Sequence, residues 1–232
     1  MSKRPHKLSG AQGRTRPSQR ICLTGVTVLL FALAVDGRVG ESTSDSFCSE
    51  TKECLLYDLV CTGADYEVRH YDAAKWVTAE AESPLMDIAI IQAFRKLFKY
   101  ITGENVAGAK IDMTAPVIIK VSENASMWQS PALSFLLPSS YQDNPPKPTD
   151  SSIYFTETPD MNVYVRSYGG WMMSFVSRSQ AGSLKTSLNK VQAKYEDKYF
   201  YNVGYDSPMK IRNRRNEAWY IATGEPVCPK SQ

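Results

Sequence analysis

From Val77 to Glu82 the chain alternates: Val77, Ala79 and Ala81 are apolar, Thr78, Glu80 and Glu82 polar. A period of two marks a strand with one covered face. The alternation predicts a strand over Trp76 to Glu82. Two shorter strands, Leu55 to Cys61 and Tyr66 to Tyr71, precede it, separated by the turn residues Thr62-Gly63-Ala64-Asp65. The period then changes. Ser83-Pro84 suits the start of a helix, and Ile88, Ile91, Phe94, Phe98 and Ile101 recur at spacings of three and four, which predicts one buried helical face. Gly103 is a natural stop. Ile111 to Val121 and Leu133 to Leu137 read as strands from their β-branched and aromatic content. The stretch DNPPKPTDSS, residues 143–152, is polar and proline-rich, an exposed connector. Beyond it comes a second helix, roughly Ser179 to Tyr195, with Leu184, Leu188, Val191 and Tyr195 on one side. Strands Tyr199 to Tyr205 and Glu217 to Thr223 close the chain.

The second half echoes the first. Val68-Arg69-His70-Tyr71 is answered by Val165-Arg166-Ser167-Tyr168, and Trp76 by Trp171. The order strands, helix, strands occurs twice, which predicts a duplicated unit. Two such halves can merge their sheets into one barrel-like core with a helix over each flank, an α+β arrangement. Closure of the barrel would remove unprotected sheet edges.

The N-terminus reads differently. Lys3, Arg4, Lys7, Arg14, Arg16 and Arg20 occur without an acidic residue, followed by the apolar run ICLTGVTVLLFALAV, Ile21 to Val35. At 15 residues the run is short of the roughly 20 a spanning helix needs, and Ala32-Leu33-Ala34 has the small-x-small form of a cleavage site. Residues 1–34 are expected to be a secretory signal peptide; an uncleaved signal anchor is the alternative. The rest of the chain would then be secreted or lumenal, with no stable membrane span after cleavage. Residues 35–51 are polar and aperiodic, a flexible arm before a domain over residues 52–228.

This leader also carries the apparent basicity. Six of the 27 basic residues lie in it, leaving 21 against 24 acidic ones. No long basic stripe remains, and a nucleic-acid partner is not expected. Without Cys22 the cysteines number four: Cys48, Cys54, Cys61 and Cys228. In an oxidising compartment they predict two disulfides. Three cluster near the start of the domain and one near its end, so at least one bridge should join the two; Cys48 or Cys54 to Cys228 is preferred, although three pairings are open. Their spacing does not match a zinc site. Asn124-Ala125-Ser126 is a glycosylation sequon, expected on an exposed loop.

Three separated segments then point to a family. YEVRHYDAAKWV from Tyr66, KIDMTAPV (Lys110 to Val117), and GYDSPMK with RNEAWY (Gly204 to Lys210, Arg215 to Tyr220) together resemble the SOUL haem-binding protein family over about residues 55 to 224. The resemblance is closer to the branch that keeps the histidine of the first motif. It implies a distorted antiparallel β-barrel of two similar halves flanked by two α-helices, with haem or another porphyrin as ligand.

The resemblance makes His70 a candidate axial ligand of haem iron; a neutral imidazole has the required chemistry, and the alternative is a partly exposed strand histidine that hydrogen-bonds a neighbour. It also implies a cleft between the first helix and a late loop. Within that cleft the family's helical lysine falls at Lys99 and its late-loop lysine at Lys210. An arginine of the family's helix falls at Ile91, and Arg95, one turn away, is a substitute. Phe94 and Phe98 would supply an aromatic floor and Met209 an adaptable sulfur contact. Apolar burial would hold the porphyrin plate and cations its propionates. Met113-Thr114-Ala115-Pro116 lacks a nucleophile–base pair, and its proline reads as a bend or edge. Arg212, Arg214 and Arg215 read as a basic turn held in salt bridges, with propionate contact as the alternative. The family's pro-death helix would correspond to Leu184 to Tyr199, but Asn189 and Lys190 stand where that motif has acidic residues. With no constellation for acid–base, nucleophilic or phosphate chemistry, binding rather than catalysis is expected. A protein-interaction module of the same fold is the alternative, and a haem-using peroxidase or dealkylase a more distant one.

Overall fold

The computed structural model of the protein describes residues 38–42, 48–124 and 130–229, all within the compact unit Ala34–Gln232. The expected leader lies outside the described residues. In chain order the elements are β1 (Val39–Glu41), β2 (Glu53–Leu55), β3 (Asp58–Thr62), β4 (Glu67–Tyr71), β5 (Ala74–Glu80), α1 (Met86–Ile101), β6 (Val117–Ser122) and β7 (Ala132–Leu136). They continue with β8 (Ile153–Thr158), β9 (Met161–Tyr168), α2 (Ser174–Lys190), β10 (Tyr199–Gly204) and β11 (Asn216–Ile221).

Nine strands form one curled antiparallel sheet in the order β3-β4-β9-β11-β10-β6-β7-β5-β8. Its centre is the β6–β10 pair. Outward from that pair, β6-β7-β5 and β10-β11-β9 repeat the same path, one from each half. Each path is then completed by the first strand of the other half: β8 on β5, β4 on β9. The expected α+β fold and duplication are therefore present, as a half-barrel whose end strands β3 and β8 do not pair. The echoed motifs are not symmetry mates. Val68–Tyr71 lies on β4 and Val165–Tyr168 on β9, and the two strands are hydrogen-bonded neighbours, with Glu67 opposite Val165. Trp76 is fully buried, whereas Trp171 is exposed.

Both faces of the sheet are covered. Helix α1 packs on β5 and β7, and α2 on β9 and β11, over a core that includes Val77, Ile119, Leu133, Phe135 and Ala218. On the opposite face Trp76, Trp219, Tyr71 and Val163 pack with Cys48, Cys54 and Val39. Val39–Glu41, in the arm expected to be flexible, pairs with β2. The proline-rich connector is mostly exposed as expected, yet it is pinned to the end of α1: Tyr100 donates to the Pro146 carbonyl at 2.8 Å and the Val106 amide to Lys147 at 2.9 Å.

Helix α1 differs from the expected one in which face is buried. Met86, Ala89, Ala93, Leu97, Tyr100 and, from the expected row, Ile101 are buried; Phe94 is half-buried against the core, while Ile88, Ile91 and Phe98 are exposed. The small side chains of Ala89 and Ala93 let the helix axis approach the strands, and most of the bulkier row is turned away. The Ser83 hydroxyl accepts the Leu85 amide at 3.2 Å, so the helix begins three residues after the expected cap. Gly103, at φ +124°, follows its end as expected. Helix α2 starts earlier than its sequence suggests because its cap comes from α1: Asp87 accepts the Ser174 amide at 3.0 Å and the Ser174 hydroxyl at 3.1 Å. It ends at Lys190, so the stretch that would match the pro-death helix is helical only in part. Its buried Leu184 and Leu188 already face the sheet.

The disulfides are Cys48–Cys54 and Cys61–Cys228. One bridge joins the two ends of the domain, as expected, but through Cys61 rather than Cys48 or Cys54. The C-terminal tail lies along β4 and β9, where Tyr66 donates to the Val227 carbonyl and the Val227 amide donates to the Tyr164 hydroxyl; that path brings Cys228 to β3. Asn124 is exposed after β6; the rest of its sequon lies outside the described residues. No helix among them is long and apolar enough to cross a membrane.

Glu217 on β11 is fully buried. It accepts from Arg69 at 3.1 Å, Tyr205 at 2.9 Å, Trp219 at 2.8 Å and Arg215 at 2.9 Å. Burial works against the Arg69 charge, but Glu217 and the hydroxyls of Tyr71 and Tyr205 outweigh it and hold the guanidinium protonated. Arg69 also donates to Glu67 at 2.6 Å, so Glu217→Ala leaves it one of two carboxylates and should lower unfolding free energy by about 3 kcal/mol, the low end for a broken buried pair, with a smaller loss in an Arg69→Met/Glu217→Leu double variant; urea denaturation reads both. The Cys61–Cys228 bridge closes 167 residues and Cys48–Cys54 only 6. Replacing Cys61 and Cys228 by Ser is expected to cost about 2–5 kcal/mol, more than the same change at Cys48 and Cys54, in denaturation without reductant.

Candidate functional site

The bulky row that α1 turns away from the sheet borders a cleft of about 650 Å³, within the range of small-molecule sites. The helix supplies Ile91, Phe94 and Phe98 as one wall. Phe94 and Phe98 are near-parallel, 13° apart with centroids at 6.1 Å, and Phe94 meets Phe135 of the sheet edge-on at 5.1 Å. The floor is Val117, Ile119 and Leu133 of β6 and β7. The far wall comes from the second half: Met172 ahead of α2, Tyr205 to Pro208 after β10, and Arg214. The site therefore lies on the seam between the halves.

Its polar groups sit at the margin. Arg95 on α1 is exposed. Arg214 donates through Nη1 to the carbonyls of Ser207 and Lys210, both at 2.7 Å, and its guanidinium lies 4.7 Å from the Trp171 ring centroid. The Arg214 Nε is buried without a hydrogen-bond partner, in a wall that also carries Asp206 and Ser207. Burial together with Glu217 pushes the Tyr205 hydroxyl well above its ordinary range, so it stays a neutral donor committed to Glu217.

Of the residues expected at the site, the structure brings Ile91, Phe94, Arg95 and Phe98 together in the cleft. Lys99 points toward Glu104, 3.7 Å away, and Lys210 is paired with Asp206. Met209 is 85% exposed, beyond the lining. His70 is not a lining residue. Its Nε2 lies 3.3 Å from Asp160 and 3.6 Å from Asp72, at the other end of β4. Sequence reasoning missed Met113, Thr114 and Met172, and it placed Arg214 in a salt-bridged turn, whereas Arg214 lines the cleft and holds loop carbonyls. Met113-Thr114 was read as purely structural; Thr114 does hold the β7 end, donating to the Leu136 carbonyl at 2.5 Å, but both residues also line the cleft. Arg215 is salt-bridged to Glu217 as expected. A usable signal existed in α1 itself, which carries two apolar rows where one sheet can cover only one.

The helices that frame the cleft are tied down by phenols. Tyr100 of α1 donates to Pro146, and Tyr168 bonds Ser177 of α2 at 3.0 Å and Asn202 at 2.8 Å. Burial pushes both up to about 12. A phenol titrates near 10 in the unfolded chain, so the raised value stabilises the fold fully below pH 10. That contribution is lost as the pH rises through 12. Stability should hold to about pH 10 and fall between 10 and 12, with phenolate absorbance lagging behind free tyrosine until the helical circular dichroism is lost. Simultaneous ionisation at pH 10 with the helices intact would contradict this.

A fold of two strand-exchanged halves with an apolar seam cleft defines a small-ligand-binding domain. Residues 52–221 match the family described as SOUL heme-binding protein, and the chain belongs to that family. It is 37% identical to heme-binding protein 2 of Homo sapiens over 164 residues, covering 70% of this chain and 80% of that one. It is 32% identical to heme-binding protein 1 of Bos taurus over 162 residues, covering 69% and 84%. Among solved structures, the EcmrR C-terminal domain superimposes with a TM-score of 0.51 at 10% identity, covering 74% of this chain and 99% of that one, a likeness of fold alone.

Proposed function

We propose that the chain binds haem or a related tetrapyrrole in the seam cleft, as a carrier or scavenger rather than an enzyme. The observation that carries this reading is the wall Ile91, Phe94 and Phe98, large apolar side chains that face an apolar floor, with Ile91 and Phe98 left exposed. The cleft fits the chemistry of a flat porphyrin. Its walls would bury the plate, and the exposed Arg95 at the margin would meet a propionate. Haem would supply its iron as an electron-transfer or ligand-binding centre. Among the lining residues only the thioethers of Met113 and Met172 are available as soft donors, since Tyr205 is committed to Glu217. Affinity in this reading comes from burial, with His70 outside the site. The names of the relatives, heme-binding proteins 1 and 2, support the ligand class. The leader-like N-terminus, two disulfides and an exposed Asn124 support action outside the cell or in the secretory pathway.

Hemin titrated into the chain from Val35 onward should give a saturable Soret shift at one equivalent; uptake that never saturates would overturn the reading. Phe98 is half-exposed, so Phe98→Asp should leave the fold intact. It should weaken hemin binding by roughly ten- to a hundredfold. His70→Ala should leave both spectrum and affinity unchanged.

A further inference from the structure

We propose that the mouth of this cleft is a membrane-docking surface, which seats the domain on a bilayer carrying anionic phospholipid headgroups. Thirteen large hydrophobic side chains are exposed among the described residues, and nine of them belong to three segments around the cleft. Leu85 and Ile88 extend the outer row of α1 beyond Ile91 and Phe98. Trp171, Met173 and Phe175 stand at the start of α2, and Met209 and Ile211 at the tip of the loop between β10 and β11. The segments are one ring rather than scattered residues. Asp87 of α1 holds Ser174 of α2. Arg214 of the loop stacks on Trp171 and holds the loop carbonyls of Ser207 and Lys210. Across the cleft, α1 faces the loop, and both line it.

A ligand filling the cleft leaves the ring uncovered. Phe175, Ile211 and Met209 are 70%, 76% and 85% exposed, and none is a lining residue. Apolar surface of this extent marks an interaction face.

Charge identifies the partner. The ring's carboxylates are spoken for: Asp87 by Ser174, Asp206 by Lys210 and the Arg215 amide, Glu50 by the Ser207 amide. Arg95 and Arg212 are exposed and form no ion pair among the described residues. Projecting aromatic, aliphatic and sulfur side chains ringed by arginine match the interfacial zone of a bilayer, where the apolar groups enter the acyl boundary and the cations meet phosphate. A symmetric second copy fits less well, because a twofold contact at this face would bring in further arginines while its carboxylates are already engaged.

The proposal is tested without haem, so it stands or falls separately from the ligand reading. The chain from Val35 onward, which carries every strand and both helices, is sedimented with vesicles of phosphatidylcholine alone or with added phosphatidylserine. Binding is expected with phosphatidylserine and should weaken as salt rises. Phe175→Glu with Ile211→Glu should reduce the bound fraction at least tenfold while leaving circular dichroism and the hemin titration unchanged. Arg212→Gln should blunt the phosphatidylserine dependence. No sedimentation with either vesicle, or sedimentation indifferent to the double substitution, overturns the proposal. Self-association in solution that the double substitution abolishes would also overturn it, by assigning the face to a second copy.

Discussion

Each half of the sheet is finished by a strand from the other: β4 closes on β9 and β8 on β5. Neither half can satisfy its outer ladder of backbone hydrogen bonds alone, and an unpaired buried amide or carbonyl is costly. The two repeats therefore fold as one body although their order in the chain would suit two. Arg69 and Glu217 reinforce the exchange, since β4 comes from the first half and β11 from the second, with β9 between them. The cleft inherits this arrangement. Its helix and floor come from one repeat and its far wall from the other, so its width is set by how the repeats join.

Helix α1 answers to two demands. Against the sheet it needs small residues, and Ala89 and Ala93 supply them beside Leu97. On the other side it presents Ile91, Phe94 and Phe98 to a space the sheet does not fill. Phe94 still packs on Phe135, but Ile91 and Phe98 are left uncovered by the sheet, which is why they bear on function. Asp87, at the start of the same helix, caps α2 from outside it. One helix thus positions the wall of the cleft and fixes the segment carrying Met172 opposite.

Much of this was legible in the sequence, for identifiable reasons. Alternation at Val77 to Glu82 and the residues flanking α1 are local signals, and both elements formed close to where they pointed. The start of α2 was not legible, because its cap lies 87 residues away at Asp87. The choice between the two apolar rows of α1 depended on side-chain size against the sheet, not on periodicity: of the row expected in the core, Ile101 is buried and Phe94 half-buried, but Ile88, Ile91 and Phe98 are exposed. The Val-Arg-x-Tyr repeat misled because strand exchange sets β4 beside β9 instead of making them equivalent. The pairing of Cys61 with Cys228 depended on the path of the last residues over β4 and β9, which no spacing encodes. Met172 was missed at the site because a wall built from two repeats has no contiguous motif.

The Cys61–Cys228 bridge has a mechanical consequence. A tensile load applied to the two ends of the chain would pass from Cys61 straight to Cys228 through sulfur. Only β1, β2 and most of β3 lie on the loaded path, while both helices and the other eight strands of the large sheet hang from it as a slack loop. A cut in the exposed connector before β8 would likewise leave two fragments joined covalently at the bridge and held together by the exchanged strands.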